Sequence, residues 1–127
     1  MKVRDLMTYP IAAVRPDATV VEAIEVMVNG RKGCVLVASD GLLKKCVGIL
    51  TTGQIFRKVL VVGIDPARVD VEKIMITMPL VTIGPNASAK EAAELMIKHN
   101  VRRLPVVENG VLVGIITSKD LLICVEG

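Results

Sequence analysis

The chain has 127 residues, 52% of them hydrophobic, which suits one compact domain or two interlocked half-domains. Only 2% are aromatic and the formal net charge is +3, so composition argues against a base-stacking nucleic-acid surface. One histidine and three cysteines without Cys-x-x-Cys spacing argue against metal sites and disulfides, and no apolar run approaches the ~20 residues of a membrane span. We therefore expect a cytoplasmic protein with reduced thiols.

The first predicted elements are a short strand and a helix. Residues 11–14 are expected to be extended, because Pro16 disfavours helix just before it. Thr19 and Glu22 match a capping box, in which a hydroxyl and a carboxylate satisfy backbone amides at a helix start. The helix that follows is predicted to end at residues 29–30, Asn-Gly.

Two strands and a second helix come next. Residues 33–38 are a continuous apolar run, which is typical of a strand covered on both faces. Residues 39–41 predict a turn, and residues 46–50 predict the return strand. A helix is expected from Thr51 toward Val61.

After a connector at residues 63–70, the same order of elements recurs. Ser88 and Glu91 form a second capping-box pattern before a helix. The expected elements beyond that helix are a strand at 104–107, a turn at 108–110, a strand at 111–116 and a helix at 118–125.

The recurrence is an internal repeat. Residues 10–37 align with residues 79–106 at an offset of 69 with eight identities, and residues 47–52 then align with 113–118 at an offset of 66. Units this small rarely bury their apolar faces alone, so the copies are expected to pack with pseudo-two-fold symmetry around a cleft. We divide the chain into a first motif at 1–62, the connector, and a second motif at 71–127.

The motifs, in their order and spacing, resemble a CBS-domain pair, also called a Bateman module. The matching segments are Asp-Leu-Met-Thr at 5–8, Pro-Asp-Ala-Thr-Val at 16–20, Val-Arg-Arg-Leu-Pro-Val-Val at 101–107 and Val-Gly-Ile-Ile-Thr-Ser-Lys-Asp-Leu at 113–121. The resemblance covers essentially the whole chain.

This resemblance implies an α/β (α+β) fold of two tandem β-α-β-β-α motifs packed sheet to sheet. It implies a regulatory module that binds an adenosine-containing ligand such as AMP, ATP or S-adenosylmethionine between the motifs, forms homodimers and acts on a separate, unidentified protein. The sequence shows no nucleophile–base spacing, paired carboxylates or metal cluster, so we expect neither catalysis nor a catalytic cofactor. The alternative is a ligand-free scaffold for interaction or dimerisation.

The resemblance places ribose binding at Thr117 and Asp120, since a carboxylate can accept hydrogen bonds from both hydroxyls of a sugar diol. The competing interpretation is that Thr-x-x-Asp merely caps a helix. The first motif has Thr51 and Gln54 at the equivalent positions, where a cap remains without a charge. We therefore predict a degenerate first site and one working second site.

Phosphate contacts are assigned to Arg102 or Arg103, of which only one should enter a given pocket because adjacent strand residues point to opposite faces. The resemblance leaves a second arrangement open, in which these arginines face Thr51 and Gln54 while Lys32 and its neighbours complement Asp120.

The adenine is expected against apolar and backbone groups of the second motif. The candidates are Leu80, Thr82 and Ile115, each of which has ordinary strand packing as its alternative role.

Overall fold

The computed structural model describes residues 1–9, 12–39, 45–77 and 81–123. In chain order its main elements are α1 (Val3–Leu6), β1 (Ala13–Val14), α2 (Val20–Gly30), β2 (Cys34–Ala38), β3 (Cys46–Thr51), α3 (Thr52–Ile55), α4 (Ala89–His99), β4 (Arg103–Glu108), β5 (Val111–Thr117) and α5 (Ser118–Leu121). Helix α3 continues as a π-helix at Phe56–Leu60, and 3-10 turns lie at Pro66–Arg68 and Val71–Lys73. None of the helices in the described ranges has the length and apolarity that crossing a bilayer requires.

The chain forms two compact units, each built around one copy of the repeat. The first-motif unit is Ala12–Leu80, and the second-motif unit is Met1–Ile11 together with Val81–Gly127. Residues 1–9, at the start of the first motif, therefore belong to the second-motif unit. Residues 71–77, at the start of the second motif, belong to the first-motif unit, and we call them the crossing segment. The mixed α and β composition and the two tandem motifs agree with the fold class predicted from the sequence.

The sheet of the first-motif unit has the order β1-β2-β3. Strand β1 runs parallel to β2, and β2 pairs antiparallel with β3. The predicted turn at 39–41 falls largely outside the described residues.

The second-motif unit contains the antiparallel hairpin β4-β5. Its turn has positive φ at both Asn109 (52°) and Gly110 (79°), as a two-residue hairpin turn requires. Where the first motif has strand β1, the second has a single parallel bridge between Ile83 and Val106. The predicted last helix is described as α5, and its expected end at residue 125 lies outside the described residues.

Each unit has an aliphatic core that includes residues from the start of the other motif. Val3 and Leu6 belong to the core of the second-motif unit, and Val71 and Ile74 belong to that of the first. The backbone attachments correspond: the Val3 N–H donates to the Ala87 carbonyl at 2.8 Å, and the Val71 N–H donates to the Ala18 carbonyl at 2.7 Å. Burial of these side chains ties each unit to a distant part of the chain.

At the starts of α2 and α4, the structure contains one of the two hydrogen bonds of each predicted capping box, the one accepted by the side-chain hydroxyl. Thr19 Oγ1 accepts from the Glu22 N–H at 3.2 Å, and Ser88 Oγ accepts from the Glu91 N–H at 3.1 Å. For these two helices the structure records the hydroxyl bond and not the reciprocal carboxylate bond that was predicted. Both Glu side chains are exposed, so water can form the hydrogen bonds that each carboxylate does not make to the helix start.

The predicted end of α2 at residues 29–30 is confirmed. Gly30 is the last helical residue, and the left-handed position that closes the helix is Arg31, with φ of 52°. The second motif closes α4 with Asn100 at φ of 53°. The β-carbon of any residue other than glycine is crowded in this conformation. Asparagine is nevertheless common there because its short polar side chain can hydrogen-bond locally, which arginine does not do.

Arg31→Gly is expected to stabilise the protein by about 1 kcal/mol, because glycine adopts the left-handed conformation without the β-carbon clash. Urea unfolding followed by circular dichroism measures the change. Asn100→Gly is the matched control and should give a smaller gain. An Arg31→Gly variant no more stable than wild type would contradict this account of the helix end.

Candidate functional site

The candidate ribose-binding pair lies where β5 passes into α5. Asp120 Oδ2 accepts from the Thr117 N–H at 2.9 Å, and Thr117 Oγ1 accepts from the Asp120 N–H at 3.3 Å. This is a complete capping box. Both residues are partly buried. One carboxylate oxygen is thus committed to the backbone, and Oδ1 is the oxygen that a ligand would engage.

The first motif has the same capping box with an amide in place of the acid. Gln54 Oε1 accepts from the Thr51 N–H at 3.2 Å, and Thr51 Oγ1 accepts from the Gln54 N–H at 3.4 Å. The Thr51 hydroxyl also donates to Gln54 Oε1. Gln54 is only 8% exposed. The two motifs therefore show that this helix start can be capped with no charge at all.

Three predicted site residues share one face of the second hairpin. Arg103 lies opposite Thr117, and Pro105 lies opposite Ile115, so these four side chains point away from the face that carries Leu104 and Ile116 into the core. We call this the Thr117 face (Arg103, Pro105, Ile115 and Thr117).

Arg102 has a different role from Arg103. Its carbonyl accepts from the Ser118 N–H at 2.9 Å, which ties the start of β4 to the start of α5. The Arg102 side chain is exposed, and Arg103 is half-buried. The structure thus brings both arginines, Ile115, Thr117 and Asp120 into the same unit.

The remaining predicted residues lie elsewhere. Lys32 belongs to the first-motif unit with Thr51 and Gln54. Thr82 is exposed and directly precedes Ile83, whose N–H donates to the Pro105 carbonyl at 3.1 Å. Leu80 falls outside the described residues.

Lys32 also borders an apolar cavity that sequence reasoning missed. The cavity has a volume of about 230 Å³ and lies in the first-motif unit, with Thr52 as its other polar residue. Its remaining lining consists of Ile24, Met27, Val28, Ile55, Phe56 and Leu60.

The described thiols behave as ordinary half-buried side chains. Cys34 and Cys46 carry thiols, and burial raises the pKa of the Cys46 thiol above its usual value while a backbone hydrogen bond with Gly48 opposes that shift. Within the described ranges, no group of three or more His, Cys, Asp or Glu side chains could hold a metal ion. Cys124 lies outside those ranges.

Comparison with known proteins identifies the repeat. The family model "CBS domain" matches residues 3–61 and 71–127. The chain is 37% identical over 121 residues to the CBS domain-containing protein YhcV of Bacillus subtilis, covering 95% of this chain and 83% of that protein. It spans between 41% and 62% of three further relatives.

Solved structures share the fold over the full length. The hexameric CBS-CP12 protein from bloom-forming cyanobacteria matches with a TM-score of 0.86 and 29% identity, covering 100% of this chain and 75% of that one. The CBS domain pair of MJ0100, solved with 5-methylthioadenosine and S-adenosyl-L-methionine, matches with a TM-score of 0.85 and 24% identity, covering 100% and 97%. With its family model matched twice in tandem, the chain belongs to the CBS-domain family and is a CBS-domain pair, a regulatory module.

Proposed function

We propose that this chain binds an adenosine-containing ligand, of the class of AMP, ATP or S-adenosylmethionine, through Asp120 and Thr117 in the second motif. Binding changes the population of conformations that a separate, regulated protein recognises. The module carries no chemistry of its own, and a second copy of the chain is its other partner.

The observation that supports this proposal is the charge at Asp120. Gln54 holds the equivalent helix start with a neutral amide, so capping alone does not require a carboxylate. An ionised carboxylate with one oxygen beyond the cap can accept charge-assisted hydrogen bonds from a ribose diol. The first motif lacks this charge, which supports one working site per chain.

The Thr117 face supplies further groups suited to a nucleotide. Arg103 lies opposite Thr117, and a guanidinium there can pair with a phosphate in bidentate fashion. In the first motif the position aligned with Arg103 is Cys34, so the acid and the cation are both present in one motif and both absent in the other. This co-occurrence favours Arg103 over Lys32 as the phosphate contact of the same site.

The similar structures show that this fold can hold an adenosine compound, and they do not identify the ligand of this chain. The MJ0100 domain pair holds adenosine compounds on a fold like this one, and at 24% identity the likeness concerns the fold alone. The assignment to this chain therefore depends on Asp120, Thr117 and Arg103 themselves.

The second candidate function is a scaffold that binds no small molecule. The capping box favours it, because Asp120 Oδ2 already has a partner in the Thr117 N–H and negative charge near a helix start is mildly stabilising without any ligand. In that case the carboxylate serves the helix, and assembly is the function.

Titration calorimetry of the full chain with AMP, ATP and S-adenosylmethionine separates the two functions. We expect saturable binding of at least one of them at one site per chain. GMP, which has the same ribose and phosphate, is the matched ligand that reports the contribution of the base. Heat signals indistinguishable from buffer for all three adenosine compounds would exclude the ligand-binding function and favour the scaffold.

A further inference from the structure

The strands and helix around the first-motif cap carry positive charge without acidic residues beside it in the chain. No aspartate or glutamate occurs at residues 26–39 or 41–64, which include β2, β3 and the helix that follows β3. The cations described in these stretches are Arg31, Lys32, Lys45, Arg57 and Lys58. Among the residues that the structure describes, Lys32 and Arg57 have no ion pair or hydrogen-bonding side-chain partner. Their charges are therefore available to a ligand.

The Arg57 side chain folds back over the start of the helix that follows β3. A β-carbon at Gly53 would lie 3.0 Å from Arg57 Nη1 and 3.3 Å from Nη2. The guanidinium thus occupies the space that a side chain at position 53 would fill. In the second motif the aligned residues are Lys119 and Ile123, so only the first motif combines a glycine with an arginine four residues later.

Lys32 comes to the same helix start from β2. The Thr52 N–H donates to the Gly33 carbonyl at 3.1 Å, which holds the residue after Lys32 against the first turn of α3. Lys32 and Thr52 also border the same cavity, and both are exposed. Two cations and one hydroxyl are therefore brought to the first turn of α3 within one unit.

The neutral cap of the first motif suits an anion beside it. Gln54 holds the helix start without charge, whereas Asp120 would repel a phosphate placed directly at the second-motif cap. A guanidinium can donate two parallel hydrogen bonds to a phosphate, and an ammonium adds a second positive charge. The alternative is a solvated basic surface. Such a surface does not require Gly53, where alanine would be the better helix former.

We propose that the first motif binds a phosphate-bearing anion through Arg57, Lys32 and the Thr52 hydroxyl, with no contribution from a ribose or a base. The proposal goes beyond the proposed function and does not depend on it, because nucleotide binding is assigned to Asp120 in the second motif. The degenerate nucleotide site of the first motif then serves as an anion site.

Titration calorimetry of the full chain with inorganic pyrophosphate tests this site at physiological ionic strength, about 0.15 M. We expect saturable binding, weakened roughly tenfold or more by Arg57→Gln, as loss of one charge-assisted hydrogen bond does. Lys32→Gln should also weaken it. Lys45→Gln removes an exposed lysine at the far end of β3 and is the matched control, which should bind as wild type does. No saturable binding by wild type, unchanged affinity in Arg57→Gln, or an equal loss in Lys45→Gln would each overturn the proposal.

Gly53→Met tests the geometry without removing a charge. The linear side chain resembles the stem of Lys119 at the aligned position and takes the space of the guanidinium. Pyrophosphate affinity should fall as it does in Arg57→Gln, while thermal stability should be equal to wild type or higher because methionine favours helix more than glycine does. A folded Gly53→Met variant with wild-type affinity would overturn the proposed role of the guanidinium.

Asp120→Gln distinguishes failure of this proposal from failure of the nucleotide site. The variant should keep the pyrophosphate affinity of wild type, and its loss there would overturn a separate site. ATP binding by Asp120→Gln that is lost on adding Arg57→Gln would identify the phosphates of a nucleotide as the source of the anion. Pyrophosphate binding without ATP binding in that variant would identify a free phosphate compound.

Discussion

Asp120→Gln is expected to weaken nucleotide binding at least about tenfold while leaving the protein folded. Gln54 already performs the same cap in the first motif, so glutamine at position 120 can accept from the Thr117 N–H as the carboxylate does. The loss is therefore confined to the charge and to the second acceptor oxygen. Each charge-assisted hydrogen bond contributes roughly 1.5–3 kcal/mol, so the dissociation constant should rise roughly 10- to 150-fold for each bond lost.

Controls in both motifs separate binding from capping. Asp120→Ala should lose both the ligand and the cap, with a further cost of about 1 kcal/mol in the free energy of unfolding. Gln54→Ala should lose a cap of the same kind and keep ligand affinity. Calorimetry gives the affinities, and urea unfolding gives the stabilities. Unchanged affinity in Asp120→Gln would remove Asp120 from the site and return it to the role of a cap.

The repeat made the order of elements predictable from the sequence. The starts of α2, α3, α4 and α5 each carried a hydroxyl three residues before an amide or carboxylate. The hairpin turn carried Asn109 and Gly110, whose local chemistry decides the backbone conformation. The left-handed position that closes α2 was less predictable than the helix end, because glycine is the usual residue there and yet Arg31, not Gly30, occupies it. The preference of the left-handed position for glycine therefore did not decide which residue occupies it.

The sequence could not reveal which segment packs in which unit. Val3 and Val71 begin matching segments, and a repeat alignment assigns each to the motif that it begins. In the structure each lies in the core of the other unit, with nearly identical backbone bonds to Ala87 and Ala18. Both arrangements bury the same residues, so hydrophobic patterning alone does not distinguish them.

The part of the candidate site that is local in sequence was predictable, and the part that depends on strand register and helix packing was not. Thr117 and Asp120 are close in sequence, and their contact follows from local helix geometry. Arg103 comes close only through the register of β4 with β5, which the hairpin turn determines. The cavity beside Phe56 depends on how α2 packs against a π-helix, and no periodicity in the sequence indicates a π-helix.

Gly48→Val is expected to destabilise the first-motif unit by about 1–3 kcal/mol, because it forces side-chain atoms into a filled space. A β-carbon at Gly48 would lie 2.9 Å from Met75 Cγ, in contact with the Met75 sulfur, and 3.1 Å from the Ile76 carbonyl oxygen. That carbonyl is fixed, since it accepts from the Ile49 N–H at 3.0 Å and the Ile76 N–H donates back at 2.8 Å. The thioether can move, but the backbone oxygen cannot do so without breaking this pairing.

The partners of Gly48 make the test specific to the crossing segment. Met75 and Ile76 lie just beyond the 3-10 turn at Val71–Lys73, in the crossing segment that begins the second motif and packs in the first-motif unit. A double-mutant cycle of Gly48→Ala with Met75→Ala should show a favourable coupling of about 0.5–3 kcal/mol, since shortening the thioether relieves part of the clash.

Gly84→Ala is the matched control for this cycle, because its nearest neighbour is the Val107 carbonyl oxygen at 4.0 Å. Alanine there should be neutral or slightly stabilising through the unfolded chain. Urea unfolding gives the free energies, and limited proteolysis reports whether residues 71–77 become accessible. If Gly48→Val is as stable as Gly84→Ala, Met75 and Ile76 do not pack on β3, and the assignment of the crossing segment to the first-motif unit fails with it.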